Sequence, residues 1–165
     1  MVRNKEPQLR SVLSNADVQA KRYGHEHAGT GHLLLGMTMT NGSARELLAI
    51  FRVTEGVVRK GLLAHCERGL YRLEGTIRRT PRAQKILRDA LERQVVARGH
   101  DILLAEHLLL ALLEPIDDNE SVDPGDCALR VMRSFVALDE LREAAEHQLT
   151  ASYAAYLEKY AASHM

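Results

Sequence analysis

Gly24-His25-Glu26-His27-Ala28-Gly29-Thr30-Gly31-His32-Leu33-Leu34-Leu35 and Gly99-His100-Asp101-Ile102-Leu103-Leu104-Ala105-Glu106-His107-Leu108-Leu109-Leu110 share one pattern: Gly-His, six residues, then His-Leu-Leu-Leu. The offset is 75 residues with no gap, and flanking positions agree in kind: Arg10 with Lys85, Val12 with Leu87, Asp17 with Glu92, Gln19 with Gln94. Six matched residues at fixed spacing are hard to obtain by chance in 165 residues. The chain therefore reads as a duplication.

Working outward, each copy has helical periodicity. Leu9, Val12, Leu13, Ala16 and Ala20 form one apolar stripe in copy one; Leu87, Ala90, Leu91 and Val95 do so in copy two. Gly24 suits the left-handed position that ends a helix. Thr30 is expected to cap a short helix over 32–37, which Asn41-Gly42 stops. A third helix is expected over 43–51, and Thr54 is expected to cap a fourth. In copy two, Thr80-Pro81 reads as an N-cap followed by proline at the first helical position. Further helices are expected over 105–114, over 127–135 and from about Asp139 through Tyr160. No stretch alternates apolar and polar residues long enough for a sheet. The expected fold is all-α, two pseudo-symmetric four-helix repeats packed as one domain. The expected organisation is repeat one over 1–67, a linker over 68–79, repeat two over 80–150 and a helical extension over 151–165. The segment 115–126, rich in acids and turn formers, is expected to be a solvated, mobile loop.

Composition narrows the function. The 22 basic and 22 acidic residues balance, so the basic surplus of a nucleic-acid or membrane-surface binder is missing. Cys66 and Cys127 lack metal or redox spacing, which suits a reducing cytoplasm. No signal-peptide pattern or membrane-length apolar run occurs. No Gly-x-Ser-x-Gly elbow, activated cysteine or phosphate-cradling P-loop is found, so no catalysis and no nucleotide cofactor are expected. His25, His27 and His32 invite a metal reading. Because His25, His32, His100 and His107 occupy equivalent repeat positions, shared packing or hydrogen bonding explains them better, and no metal is expected.

Thr80-Pro81-Arg82-Ala83-Gln84-Lys85, Arg98-Gly99-His100 and Leu104-Ala105-Glu106-His107-Leu108-Leu109-Leu110 resemble the Clp N-terminal repeat, as do Tyr23-Gly24-His25 and Gly29-Thr30-Gly31-His32-Leu33-Leu34-Leu35. The resemblance covers about residues 5–150 and is nearest to the ClpC branch. It implies a compact helical domain that binds protein substrates or adaptors of a Clp protease, and a Clp ATPase is a further implied partner. Taken as complete, the chain is expected to stand alone without AAA+ modules, in the cytoplasm, as a monomer or weak dimer. In the ClpC branch the implied ligand is phosphoarginine, held by a helix-start threonine and the glutamate of Gly-Thr-Glu-His. Carried over residue by residue, that implies a site in copy two: Thr80 and Glu106, with Arg78, Arg79 and Arg82 nearby. In copy one, Lys5 stands for the threonine and Gly31 for the glutamate, so no site is expected there. The plainer explanation remains open, with Thr80 a helix cap and Glu106 favoured by the helix dipole. Tyr153, Tyr156, Leu157 and Tyr160 share a helical face, expected either to pack on the domain or to meet a partner. Two other functions compete with binding in the Clp system. One is a self-associating scaffold that keeps the fold without a ligand; the other is a dedicated regulator of a Clp chaperone.

Overall fold

Copy one opens where Glu6 accepts the Gln8 N–H (2.9 Å) with its side chain and Pro7 takes the first helical position. The computed structural model describes residues 4–115 and 123–164. Helix α1 (Pro7–Arg22) buries Leu9, Val12, Ala16, Gln19 and Ala20, one stripe at helical spacing. It ends at Tyr23, and Gly24 takes φ 69°. Helix α2 (Thr30–Met39) is buried almost all round, α3 is Ser43–Ile50, and α4 is Glu55–His65 under its Thr54 cap. Where α1 and α2 cross, a Cβ on Gly36 would press on the Val12 carbonyl and lie 3.0 Å from the Ala16 nitrogen, so only glycine lets the two backbones approach this closely.

Copy two repeats this arrangement. Helix α5 (Pro81–Lys85), a π-helical turn (Ile86–Ala90) and α6 (Leu91–Val96) run on without a break in helical backbone and together match α1. Gly99 has φ 66°, the counterpart of Gly24. Helices α7 (Ala105–Leu112), α8 (Ala128–Arg133) and α9 (Leu138–Ser163) complete the set, so the described residues form two sets of four helical rods. The core is continuous: α2 meets α7 and α8, and α3 meets α9.

The π turn holds one extra residue. From proline to the left-handed glycine, copy one runs Pro7 to Gly24 and copy two Pro81 to Gly99, one residue more. A π turn is how an α-helix absorbs a single insertion. The structural offset is therefore 74 before the turn and 75 after it. Buried Val12 corresponds to buried Ile86 rather than Leu87. More important, the counterpart of Thr80 is Glu6, not Lys5: each caps its helix one residue before a proline.

Four two-residue strands were not legible as a sheet pattern. β1 (Asn4–Lys5) pairs in parallel with β4 (Ile102–Leu103), and β2 (His27–Ala28) pairs with β3 (Arg78–Arg79). The two pairs interchange under the duplication, Asn4↔Ile102 becoming Arg78↔His27. Each joins the start of one copy to the middle of the other. Residues 68–79 also lie along copy one, with Gly69 N–H donating to the Tyr23 carbonyl (2.8 Å) and Leu73 N–H to that of Lys21 (2.9 Å).

Two expectations need correction. Gly29, not Thr30, is the N-cap of α2; its N–H donates to His32 Nδ1 (2.9 Å), and the Thr30 hydroxyl instead accepts the Ala128 N–H (3.2 Å). The expected mobile loop falls largely on 116–122, outside the described residues, but its end at Gly125-Asp126 is buried against α2 rather than solvated.

Candidate functional site

The strand pairing decides which residues meet. Glu6 N–H donates to the Leu103 carbonyl, and Thr80 N–H to that of Ala28, each at 2.9 Å. The start of α1 therefore sits beside the start of α7, and the start of α5 beside the start of α2. Each recess takes half its parts from each copy. Thr80 and Glu106, expected to flank one pocket, stand in different recesses. This corrects the expected juxtaposition: the cap and the glutamate of one copy are separated because both strand pairs cross between copies.

The first recess holds Glu6 and Glu106. Glu106, in the first turn of α7, is 2% exposed. Its Oε1 accepts from the Ser43 hydroxyl at the start of α3 and from the Ser152 hydroxyl on α9 (3.1 Å). Among the described residues no Lys or Arg lies within ion-pair distance of it. Burial pushes the Glu6 carboxyl up, and the nearby Glu106 charge pushes in the same direction. The two carboxyl groups line a half-open cavity of about 510 Å³, together with Ile102, Leu104, Tyr156, Lys159 and Tyr160. Among the described residues the side-chain partners of Glu106 are two neutral hydroxyls, so a cation arriving from outside would find an acceptor with no competing positive partner.

The second recess is filled by the chain itself. Asp126 Oδ1 accepts the Thr30 N–H (3.0 Å) and the Thr80 hydroxyl (2.7 Å), while Thr80 Oγ1 accepts the Ala83 N–H (3.0 Å). The Gly125 carbonyl takes the Gly31 N–H (2.9 Å). Thus a carboxylate and a carbonyl from the second copy satisfy the free amides that open α2. Gly31 is glycine for the same reason: a Cβ there would lie 2.6 Å from Cys127 Sγ and 2.9 Å from the Gly125 oxygen. The arginines disperse around this recess. Arg79 pairs with Asp17 (3.0 Å), Arg78 is exposed on β3, and Arg82 is buried beside Lys85 and Arg93 in a separate hollow.

The four repeat histidines build the backbone beneath both recesses. His32 Nδ1 accepts the Gly29 N–H, so its proton sits on Nε2 and is donated to His25 Nδ1 (2.7 Å); His25 Nε2–H then reaches the Glu67 carbonyl (3.0 Å). In copy two, His107 Nδ1 accepts the Leu104 N–H (2.9 Å), and its Nε2 faces His100 Nδ1 at 2.8 Å. Burial drives both inner imidazoles, His32 and His107, down to about 3, with the neighbouring histidine adding to the effect. These rings work as neutral donors and acceptors that fix the starts of α2 and α7.

Sequence reasoning missed Glu6, Ser43, Ser152 and Asp126. Only Glu6 carried a signal, since Glu6-Pro7 mirrors Thr80-Pro81.

The family model for the Clp repeat (R) N-terminal domain matches residues 6–122. The chain is 34% identical over 115 residues to the ATP-dependent Clp protease ATP-binding subunit ClpC of Staphylococcus epidermidis, and equally to that of Staphylococcus aureus. In both cases 67% of this chain is covered and 13% of the relative, so the match spans a small part of those proteins. Among solved structures, the N-terminal domain of ClpD from Arabidopsis thaliana superposes with a TM-score of 0.71 at 18% identity, covering 91% of this chain and 97% of that one. The Hsp104 N-terminal domain from Candida albicans gives 0.64 at 16% identity, covering 86% and 89%. These two likenesses bear on the fold alone.

Proposed function

We propose, for a chain that belongs to the Clp N-terminal repeat family, a non-catalytic role in recognising substrate or adaptor polypeptides of a Clp protease in the cytoplasm, through the recess at Glu106. The observation that carries this is the buried Glu106 carboxylate, held by two serine hydroxyls and open to a cavity of about 510 Å³ that also presents Glu6. An arginine side chain supplies the matching cation: its planar fork meets a carboxylate with two parallel hydrogen bonds. Only one of the two pseudo-equivalent recesses is available, because Asp126 and Gly125 fill the other. The test is amide NMR with a short arginine-bearing peptide. Shifts should concentrate at Ser43, Glu106 and Ser152 and leave Thr30 and Thr80 unmoved. Shifts confined to other surfaces would refute the assignment.

A second reading keeps phosphoarginine as the ligand, with Thr80, Arg78, Arg79 and Arg82 around its phosphate and Glu106 on its guanidinium. What favours it is the donor set at the start of α2, where Thr30 N–H and the Thr80 hydroxyl hold a carboxylate. What weighs against it is that the crossed strand pairs put these donors in a different recess from Glu106. The same NMR titration with a phosphoarginine peptide separates the readings, since this one requires Thr80 and Thr30 to respond.

A further inference from the structure

The last third of α9 supplies one wall of the Glu106 cavity. Leu141, Ala145 and Leu149 bury the first part of the helix in the core, and none of the described residues after Leu149 is fully buried. The later part is held by its own contacts. Ser152 donates to Glu106, Tyr153 stacks on His100 with ring centroids 3.7 Å apart, and the Tyr153 hydroxyl donates to Asp101 (3.0 Å). These contacts hold the turns that carry Tyr156, Lys159 and Tyr160, which line the same cavity as the two carboxyl groups. Tyr156 packs partly against the core, whereas Tyr160 is half exposed at the rim.

The charge balance of the wall is informative. Among the described residues, the charged groups lining the cavity are Glu6, Glu106 and Lys159, two carboxyls and one ammonium, so that the carboxyls outnumber the cation by one. A single cationic side chain meets that balance. A phosphorylated arginine, with about two negative charges on its phosphate, would deepen the imbalance. The aromatic wall discriminates among cations. A guanidinium is planar and weakly hydrated and stacks on a ring while pairing edge-on with a carboxylate; an ammonium is a strongly hydrated point charge that does neither as well.

We propose that residues 152–160 are the selectivity wall of this site. Tyr156 is the face on which an arginine guanidinium stacks, so the site takes arginine in preference to lysine and unmodified arginine in preference to phosphoarginine. This rests on the reading of Glu106 as the cation's partner, and Tyr156 acts here on specificity.

The experiment uses the full chain and three peptides identical except for a central arginine, lysine or phosphoarginine, with affinities read by fluorescence anisotropy. The arginine peptide should bind about fivefold more tightly than the lysine peptide, the size expected of a partly desolvated cation–π contact, and more tightly than the phosphoarginine peptide. Tyr156→Ala should lower the arginine-to-lysine ratio several-fold, leaving only the preference of the Glu106 carboxylate, and Tyr156→Phe, which keeps the ring, should preserve it. An unchanged ratio in Tyr156→Ala, or tighter binding of the phosphoarginine peptide, overturns the selectivity wall alone. Binding of the arginine peptide that is indifferent to Glu106→Gln overturns the underlying reading, and the wall with it.

Discussion

His25 Nδ1 lies 2.7 Å from His32 Nε2, and the same contact recurs between His100 and His107 at 2.8 Å. In each pair the inner ring accepts a backbone N–H, from Gly29 or Leu104, so neither inner ring can take up a proton without losing that bond.

Stability should therefore fall in mild acid. The inner imidazoles lie at about 3 in the fold because burial disfavours their charge, against an unfolded value near 6.5. A folded value below the unfolded one means that the unfolded chain binds more protons, so the stability is present above about pH 6.5 and is lost as pH falls toward 3. Each ring contributes at most about 1.4 kcal/mol per pH unit. Glu6 and Asp17, raised by burial, act in the opposite sense, so the slope is read against His107→Asn. The urea midpoint of the native chain should drop between pH 7 and 5 more steeply than that of the variant; parallel curves would contradict this.

Asp126 should matter to stability although it lies beside an acid-rich insertion. Asp126→Ala strips an acceptor from two buried donors, Thr30 N–H and the Thr80 hydroxyl, at a cost of about 1–3 kcal/mol. Asp126→Asn keeps an oxygen there and should cost less. Urea unfolding decides it, and an unchanged midpoint for the alanine variant would show that the filled recess is not part of the folded unit.

Gly31→Glu should not create a second binding site. Its Cβ meets Cys127 and Gly125 before any carboxylate could be placed, so the expected outcome is a loss of about 2 kcal/mol or more with no added peptide equivalents. A stable variant that binds a second peptide would reverse this conclusion.

Two glycines test the packing. Gly36→Ala drives a methyl into the α1 backbone and should cost about 2 kcal/mol or more. Gly56→Ala, on the exposed start of α4 with nothing within 4 Å of the new Cβ, should gain a few tenths to about 1 kcal/mol. Thermal unfolding of the two variants should move in opposite directions.

The helical duplication was legible because Gly24 and Gly99 and the paired histidines sit at fixed spacing, and the stripe of α1 has clean helical periodicity. The family followed from the same residues. The recess was not legible, for two physical reasons. One residue absorbed by the π turn at 86–90 shifts the register before it, which aligned Lys5 with Thr80 and hid Glu6. Two-residue strands carry no alternation, so nothing in the pattern showed that Lys5 would pair with Leu103 rather than pack within its own copy. Asp126 reaches its place only through tertiary packing, 96 residues from its partner Thr30.

The central claim is that one recess, built around Glu106, receives a cationic side chain. Isothermal titration of the full chain with an arginine-bearing peptide, beside the same titration of Glu106→Gln, tests it most directly. The account predicts one equivalent bound to the native chain and at least about tenfold weaker binding to the variant, in line with the roughly 1.5–3 kcal/mol of a hydrogen bond to a charged group. Two equivalents bound, or equal affinity in the variant, would contradict it.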